Sequence, residues 1–294
     1  MMTNRTALRK SRLMIAGSMA IFGTIALFVR NIAVSSAELA LYRAVLAILL
    51  LGGFFLVTGQ KIDLRAISRE LPLLLFSGMA MGVNWILLFE AYRYTTVSVA
   101  TLSYYFAPVI VTVACPLLFK EKMGKLQWIC FAMSTLGIVL ITGTGDLSTG
   151  NTHGIGILFG IGAAILYATV VLINKFIKGV GGVQRTFLQF VAAVIILLPY
   201  VALTSGFTLG SLSTGGWINL LVVGIVHSGL AYCLYFSALK DISGQEAAIL
   251  SYIDPLVAVA ISVFVLGEQL TLVQLTGGLL ILGFTLYNEI KTEN

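Results

Sequence analysis

Residues 255–283 read PLVAVAISVFVLGEQLTLVQLTGGLLILG. A proline opens an apolar run that stops at Gly267-Glu268, a short turn follows, and Gln274 then leads a glycine-rich apolar run. Residues 108–137, PVIVTVACPLLFKEKMGKLQWICFAMSTLG, say nearly the same thing. Sliding the chain along itself until Pro108 meets Pro255 also lays Glu121 on Glu268 and Gln127 on Gln274. In the same register Gly82 meets Gly229, Leu87 meets Leu234, Phe89 meets Phe236, Ala91 meets Ala238, Ala100 meets Ala247 and Tyr105 meets Tyr252. The chain is therefore an internal duplication, and the question is what kind of unit is repeated.

The surrounding composition answers it. Of 294 residues, 59% are hydrophobic and 10% charged, and the mean hydropathy is +1.00. Soluble domains carry roughly a quarter charged residues, so the chain belongs in a membrane. Apolar runs of about 17 to 23 residues, each long enough to cross the hydrocarbon as a helix, fall at 13–29, 36–57, 71–91, 96–118, 126–142, 153–173, 186–203, 216–237, 245–266 and 271–288. Lipid supplies no partner for backbone N–H and C=O, and these runs lack the two-residue alternation of barrel strands. The expected fold class is an all-α polytopic membrane protein with ten transmembrane helices. The first run follows Arg5, Arg9, Lys10 and Arg12; it outlasts a signal-peptide core of roughly 7–15 residues and is expected to be a retained helix.

Charge sets the expected orientation. With the N-terminus in the cytoplasm, every Lys and Arg except Arg30, Arg43 and Arg93 falls on the cytoplasmic side, so the positive-inside rule gives N-in and C-in. The net charge of +6 is thereby explained as a topology signal, with no nucleic-acid partner implied. Cys115, Cys130 and Cys233 all lie within expected spans, and an odd count argues against a disulfide framework.

A unit of five helices is odd in number, so two consecutive copies cross in opposite senses. The expected domains are 1–144 and 145–294, two inverted five-helix repeats. Inverted repeats related by an axis in the membrane plane are a recurring plan of secondary transporters, with substrate held near the midplane at the repeat interface.

With these motifs in place, the sequence resembles the drug/metabolite transporter superfamily, and within it the ten-helix, EamA-type branch. The resemblance rests on the proline, the Gly-Glu pair, the glutamine and the glycine-rich helix of residues 255–283 and their echo in 108–137, and it covers nearly the whole chain. The first copy departs from the pattern at Lys120, where the second has Gly267, and at Phe131, where it has Gly278. The resemblance implies a transporter, most readily an exporter, of amino acids, other metabolites or drugs. Glu121 and Glu268 are landmarks of that family, and an arginine near Arg43 also looks like a family feature. Both glutamates lie between helices, where a structural role near the next helix start is expected; Thr271 and Gln274 have capping-box form there.

Several polar residues fall within the apolar spans. Asp254 stands about nine residues into its run, roughly 14 Å along the axis and close to the midplane. Its counterpart in the first copy is Ala107. An acid there costs about 2.5–3.5 kcal/mol to insert, so it is expected to face the interior, paired with a partner such as Arg43, or engaged with substrate or a coupling proton. Arg43 has two further readings, snorkelling to the interface or bonding to Glu38. Pro108 and Pro255 remove backbone donors and are expected to mark hinges or cavity walls. Asn84, Trp85, Tyr104, Tyr105, His227, Tyr232 and Tyr252 join Asp254 as candidate substrate-binding residues, an aromatic and hydrogen-bonding set around the prolines. Since Asn84 and Trp85 diverge by about 100° around a helix, not all of the set can face one cavity. Gly78 with Gly82, and Gly156 with Gly160, read as close helix packing.

The functional expectation is a secondary transporter for a small-molecule substrate, without cofactor or metal, resident in a bacterial inner membrane and working by alternating access. A proton-coupled multidrug or cation exporter is the alternative. The small multidrug-resistance branch of the superfamily relies on a glutamate in its first helix, and neither MIAGSMAIFGTIALFV at 14–29 nor GILFGIGAAILYATVVLIN at 156–174 contains an acid. A passive channel and a membrane enzyme are further alternatives; against the enzyme, no HExxH or GxSxG occurs, and His153 and His227 are far apart in sequence.

Overall fold

The structure, a computed structural model, describes residues 2–60, 62, 67–119, 124–143, 152–174, 176–239 and 250–292. These residues are overwhelmingly helical: α1 (Met2–Gly23), α2 (Ile25–Val29), α3 (Ser36–Thr58), α4 (Leu71–Tyr94), α5 (Val97–Tyr104), α6 (Ala107–Phe119), α7 (Lys125–Gly143), α8 (Thr152–Asn174), α9 (Gly182–Leu203), α10 (Thr214–Leu221), α11 (Ala231–Leu239), α12 (Ile253–Ala260) and α13 (Leu272–Thr292). Two π-helical segments, Val222–Leu230 and Ile261–Val265, continue α10 and α12. Among the described residues, six helical stretches are long and apolar enough to cross a membrane: Leu8–Val29, Ser36–Thr58, Leu71–Tyr94, Thr152–Asn174, Gly182–Leu203 and Thr214–Tyr235. Four shorter apolar stretches, Val97–Val111, Trp128–Ile141, Ile253–Val265 and Leu272–Tyr287, lie over the remaining expected runs.

The helix ends follow local chemistry. Ser35, Thr96 and Ser213 cap α3, α5 and α10 by accepting the N–H of Glu38, Val99 and Gly216, each such cap being worth about 1 kcal/mol. Thr271 and Gln274 form the expected capping box: the Thr271 N–H donates to Gln274 Oε1 at 3.1 Å, and the Gln274 N–H to Thr271 Oγ1 at 3.2 Å.

The prolines act differently from a mid-helix kink. Pro108 is the second residue of α6 and Pro255 the third of α12, first-turn positions where a missing N–H leaves no intrahelical bond unmade. The chain breaks just before them. At the first break the Phe106 N–H reaches only to the Ser103 carbonyl, at 3.2 Å, before Ile110 bonds back to Phe106. The second falls at Tyr252, which turns with φ −69° and ψ −10° into α12. Tyr105 and Tyr252 occupy equivalent places in the duplication, so the two-repeat pattern is expressed as two broken helices.

Small residues allow the layers to approach. A Cβ on Gly78 of α4 would fall 2.6 Å from the Ala192 Cβ of α9, and one on Gly156 of α8 would fall 2.7 Å from Thr95 Cβ. Helix α4 packs against both α8 and α9, α3 against α9, α7 against α13, and α1 against α11 and α12. Buried residues from α3, α4, α8 and α9, among them Leu41, Ala44, Phe89, Ala163 and Phe190, make one continuous core. Leu56, Leu203, Phe264 and Leu272 lie on the outside, each more than four-fifths exposed, as expected of side chains whose solvent is lipid.

Candidate functional site

The break before Pro108 ends α5 at Tyr105, and the break before Pro255 starts α12 with Asp254 in its first turn. The two ends meet. Tyr105 Oη donates to Asp254 Oδ2 at 2.7 Å. A carboxylate in the first turn of a helix is also favoured by the backbone dipole, so the broken helix provides part of the stabilisation that an acid in an apolar setting needs. Gly23 of α1 lies directly against this turn, where a Cβ would come within 2.6 Å of the Asp254 carbonyl.

Tyrosines surround the acid. Tyr92, Tyr104, Tyr167 and Tyr232 lie within electrostatic range of Asp254 together with Tyr105. The Tyr104 ring sits edge-on to Tyr105, centroids 5.9 Å apart, and tilts against Tyr167 at 5.4 Å. Asp254, Tyr104, Tyr105 and Tyr232 all keep partial exposure, whereas Arg43, Trp85, Tyr92 and Tyr252 are buried.

Arg43 approaches from α3. Its guanidinium lies over the Trp85 ring, 4.7 Å from the centroid, and 5.9 Å from the Phe89 centroid. Its Nε donates to Ser228 Oγ at 2.8 Å. Ser228 in turn donates to the Val223 carbonyl at 3.1 Å, an i−5 spacing that belongs to the π-helical turn. A desolvated cation–π contact of this kind contributes about 2 kcal/mol. Arg43 and Asp254 feel each other's charge, yet no ion pair joins these two described residues. Glu38 is not the partner of Arg43 either: its carboxylate accepts from Tyr42 Oη at 2.8 Å and from the Thr208 N–H and hydroxyl at 2.6 and 2.5 Å.

The remaining candidates divide into two groups. Trp85 lies tilted against Phe190, centroids 5.2 Å apart, and Phe190 meets Tyr232 edge-on at 5.4 Å, so Trp85, Tyr232, Tyr104, Tyr105, Asp254 and Arg43 form one neighbourhood. Asn84 points away from it, donating to the Ala163 carbonyl of α8 at 2.6 Å. His227 also faces elsewhere: its Nε2 lies 3.0 Å from Thr24 Oγ1, at the interruption between α1 and α2, and its ring meets Phe28 at 5.1 Å. Tyr252 marks the second break, and Pro108 and Pro255 flank the neighbourhood in the first turns of α6 and α12.

Ser228, Tyr92, Tyr167 and Phe190 were not singled out by sequence. Ser228 adjoins His227, and the roughly 100° between neighbours on a helix turns the two toward different partners. Tyr167 lies in an unbroken apolar run where nothing marks one face as interior. Glu121 falls outside the described residues. Glu268 caps a helix other than the one that follows it. Its Oε2 accepts the N–H of Val97 at 2.8 Å, at the start of α5, and also the Ser262 hydroxyl, while Oε1 pairs with Arg30.

Comparison with known proteins matches this architecture. The model of the EamA-like transporter family matches twice, over residues 9–143 and 154–288. An uncharacterized transporter of Bacillus subtilis, YxxF, is 32% identical over 88% of this chain and 83% of its own length. The uncharacterized inner membrane transporter YicL of Salmonella typhimurium is 27% identical over 84% of this chain and 83% of its own. A crystal structure with 16% identity shares the fold, with a TM-score of 0.66 over 96% of this chain and 98% of that one. The chain is a multi-pass membrane transporter, and it belongs to the EamA-like transporter family.

Proposed function

We propose that the protein is a secondary transporter that exports small zwitterionic metabolites, amino acids foremost, by alternating access of two inverted halves, 1–144 and 145–294. In this reading the chain crosses ten times with both termini in the cytoplasm. The observation that carries it is the pair of opposite charges on the two halves, Arg43 and Asp254, within electrostatic range but not in contact. A buried cation and a half-buried anion held apart are costly unless something completes them. A solute bearing a carboxylate and an ammonium group is complementary to both at once: the carboxylate goes to the planar guanidinium over Trp85 and the ammonium to Asp254. Tyrosines between them would accept an apolar side chain along their faces and its polar atoms at their hydroxyls. Because the charges belong to different halves, such a solute joins the halves when bound, and release requires that they part. Asp254 is also the group placed to exchange a coupling proton in the empty carrier.

A second reading draws on the tyrosines alone. Five phenol rings near one carboxylate also suit an organic cation, held by ring faces and charge together. Purified protein in liposomes separates the two. A labelled amino-acid panel and a labelled lipophilic cation are tested with and without a pH gradient. The first reading expects amino-acid flux above that of empty vesicles; cation flux without amino-acid flux supports the second, and no flux of either rejects both.

A further inference from the structure

We infer that Arg30 and Glu268 form a latch that holds the two halves shut at one end of the molecule, and that the latch must open once in every transport cycle. The inference deepens the alternating-access reading and rests on it. Arg30, at the end of α2, donates through Nη1 to Glu268 Oε1 and through Nη2 to the carbonyls of Tyr92 and Thr95, at 3.3 and 3.1 Å. Glu268, from the other half, accepts the Val97 N–H at 2.8 Å and the hydroxyl of Ser262. The ends of α2 and α5 are thus tied to the segment after α12 through a single carboxylate. Its side chain is 10% exposed and that of Arg30 is 30% exposed, so the charges are only partly screened by solvent and removal of either strands the other.

The backbone is built to present this carboxylate. Gly267 has φ +66°, and the Glu268 N–H returns to the Ser262 carbonyl at 2.9 Å, one residue further back than in a Schellman ending, because the segment before it closes in π-helical turns. A residue with a Cβ is strained at that φ, which explains why glycine precedes this glutamate. The duplication shows that the device is one-sided. In the register that superposes Pro108 on Pro255, the residue matching Arg30 is Ile177, and the one matching Gly267 is Lys120. The duplication thus repeats the glutamate, at Glu121, but not the arginine, and the Arg30–Glu268 pair belongs to the end that carries Arg30, the outer end in the orientation set by the basic residues.

The test is accessibility of the centre from that end. In a background with Cys115, Cys130 and Cys233 replaced by alanine, Tyr167→Cys reports on the space around Asp254, and an impermeant maleimide is applied from the face that carries Arg30. Glu268→Gln, which retains an oxygen for the Val97 N–H, should speed labelling about tenfold, as expected for loss of a charge-assisted pair that biases a two-state equilibrium. Glu268→Ala should speed it further. Arg30→Gln, which removes the cation of the same pair, should speed labelling to a similar degree. A merely structural pair would lower stability without this one-sided opening. Parental labelling rates in folded single variants would overturn the latch.

If the single variants do not fold, Arg30→Cys and Glu268→Cys joined by a short cleavable cross-linker should stop flux, and cleavage should restore it. Full flux while linked would again overturn the latch. Failure of the underlying reading is distinguishable: the parent would then never be labelled from this face even while substrate is being transported, whereas latch failure leaves substrate-dependent labelling intact.

Discussion

Tyr105 and Asp254 join the two halves of the chain through one hydrogen bond, 2.7 Å from phenol to carboxylate. The phenol comes from the last turn before one helix break and the acid from the first turn after the other. Tyr105→Phe removes the bond and keeps the ring. A hydrogen bond to a charged group contributes about 1.5–3 kcal/mol, so substrate affinity should fall roughly ten- to hundredfold in equilibrium binding to protein in detergent. Unchanged affinity would show that the bond does not organise the site.

Asp254→Asn keeps the shape of the side chain and removes its charge. Among the described residues, the ionisable groups within electrostatic range of Asp254 are Arg43, Tyr92, Tyr104, Tyr105, Tyr167 and Tyr232, so the carboxyl is the acidic member of that set. The variant should transport poorly and lose the pH dependence of parental flux. A variant whose flux follows the parental pH profile would assign proton handling elsewhere.

Arg43→Lys preserves the charge but not the planar group that covers Trp85 and donates from Nε to Ser228. Lysine cannot supply both contacts from one position. Substrate KM should rise by about a factor of ten or more, corresponding to roughly 1.4 kcal/mol or above, and Ser228→Ala should show a smaller rise of the same kind. If Arg43→Lys transports like the parent, charge alone suffices at this position.

Helix packing supplies a stability test independent of transport. Gly78→Ala would place its Cβ 2.6 Å from Ala192, whereas nothing lies within 4 Å of a Cβ on Gly17. Overpacking costs about 1–3 kcal/mol. The Gly78 variant should melt several degrees lower in detergent and Gly17→Ala should melt near the parent. Equal melting temperatures would mean that α4 and α9 are less tightly apposed than described.

The sequence made some of this legible and hid the rest for identifiable reasons. Apolar run length revealed helices because lipid forces backbone groups to pair within the segment. Thr271 and Gln274 announced a capping box because both partners lie within one turn. The prolines revealed interruptions, but hydropathy cannot say that the break precedes each proline and leaves it in a first turn. Sequence neighbourhood points Glu268 at the helix beside it, whereas two of its partners, Arg30 and Val97, come from the other half of the chain. His227 was grouped with Asp254 by polarity and depth. In the fold its ring goes to Thr24 while Ser228 goes to Arg43, because neighbours on a helix diverge by about 100° and polarity and depth do not say which helix each will face.

The most direct test of the central claim is amino-acid flux in proteoliposomes with competitors that carry one charge each. An amino-acid amide keeps the ammonium and lacks the carboxylate; an N-acetyl amino acid does the reverse. If Arg43 and Asp254 hold the two ends of one zwitterion, labelled amino acid moves faster than into empty vesicles, and neither analogue competes within about tenfold of the unlabelled parent compound. Absence of amino-acid flux, or competition by either analogue as strong as that of the amino acid itself, would contradict it.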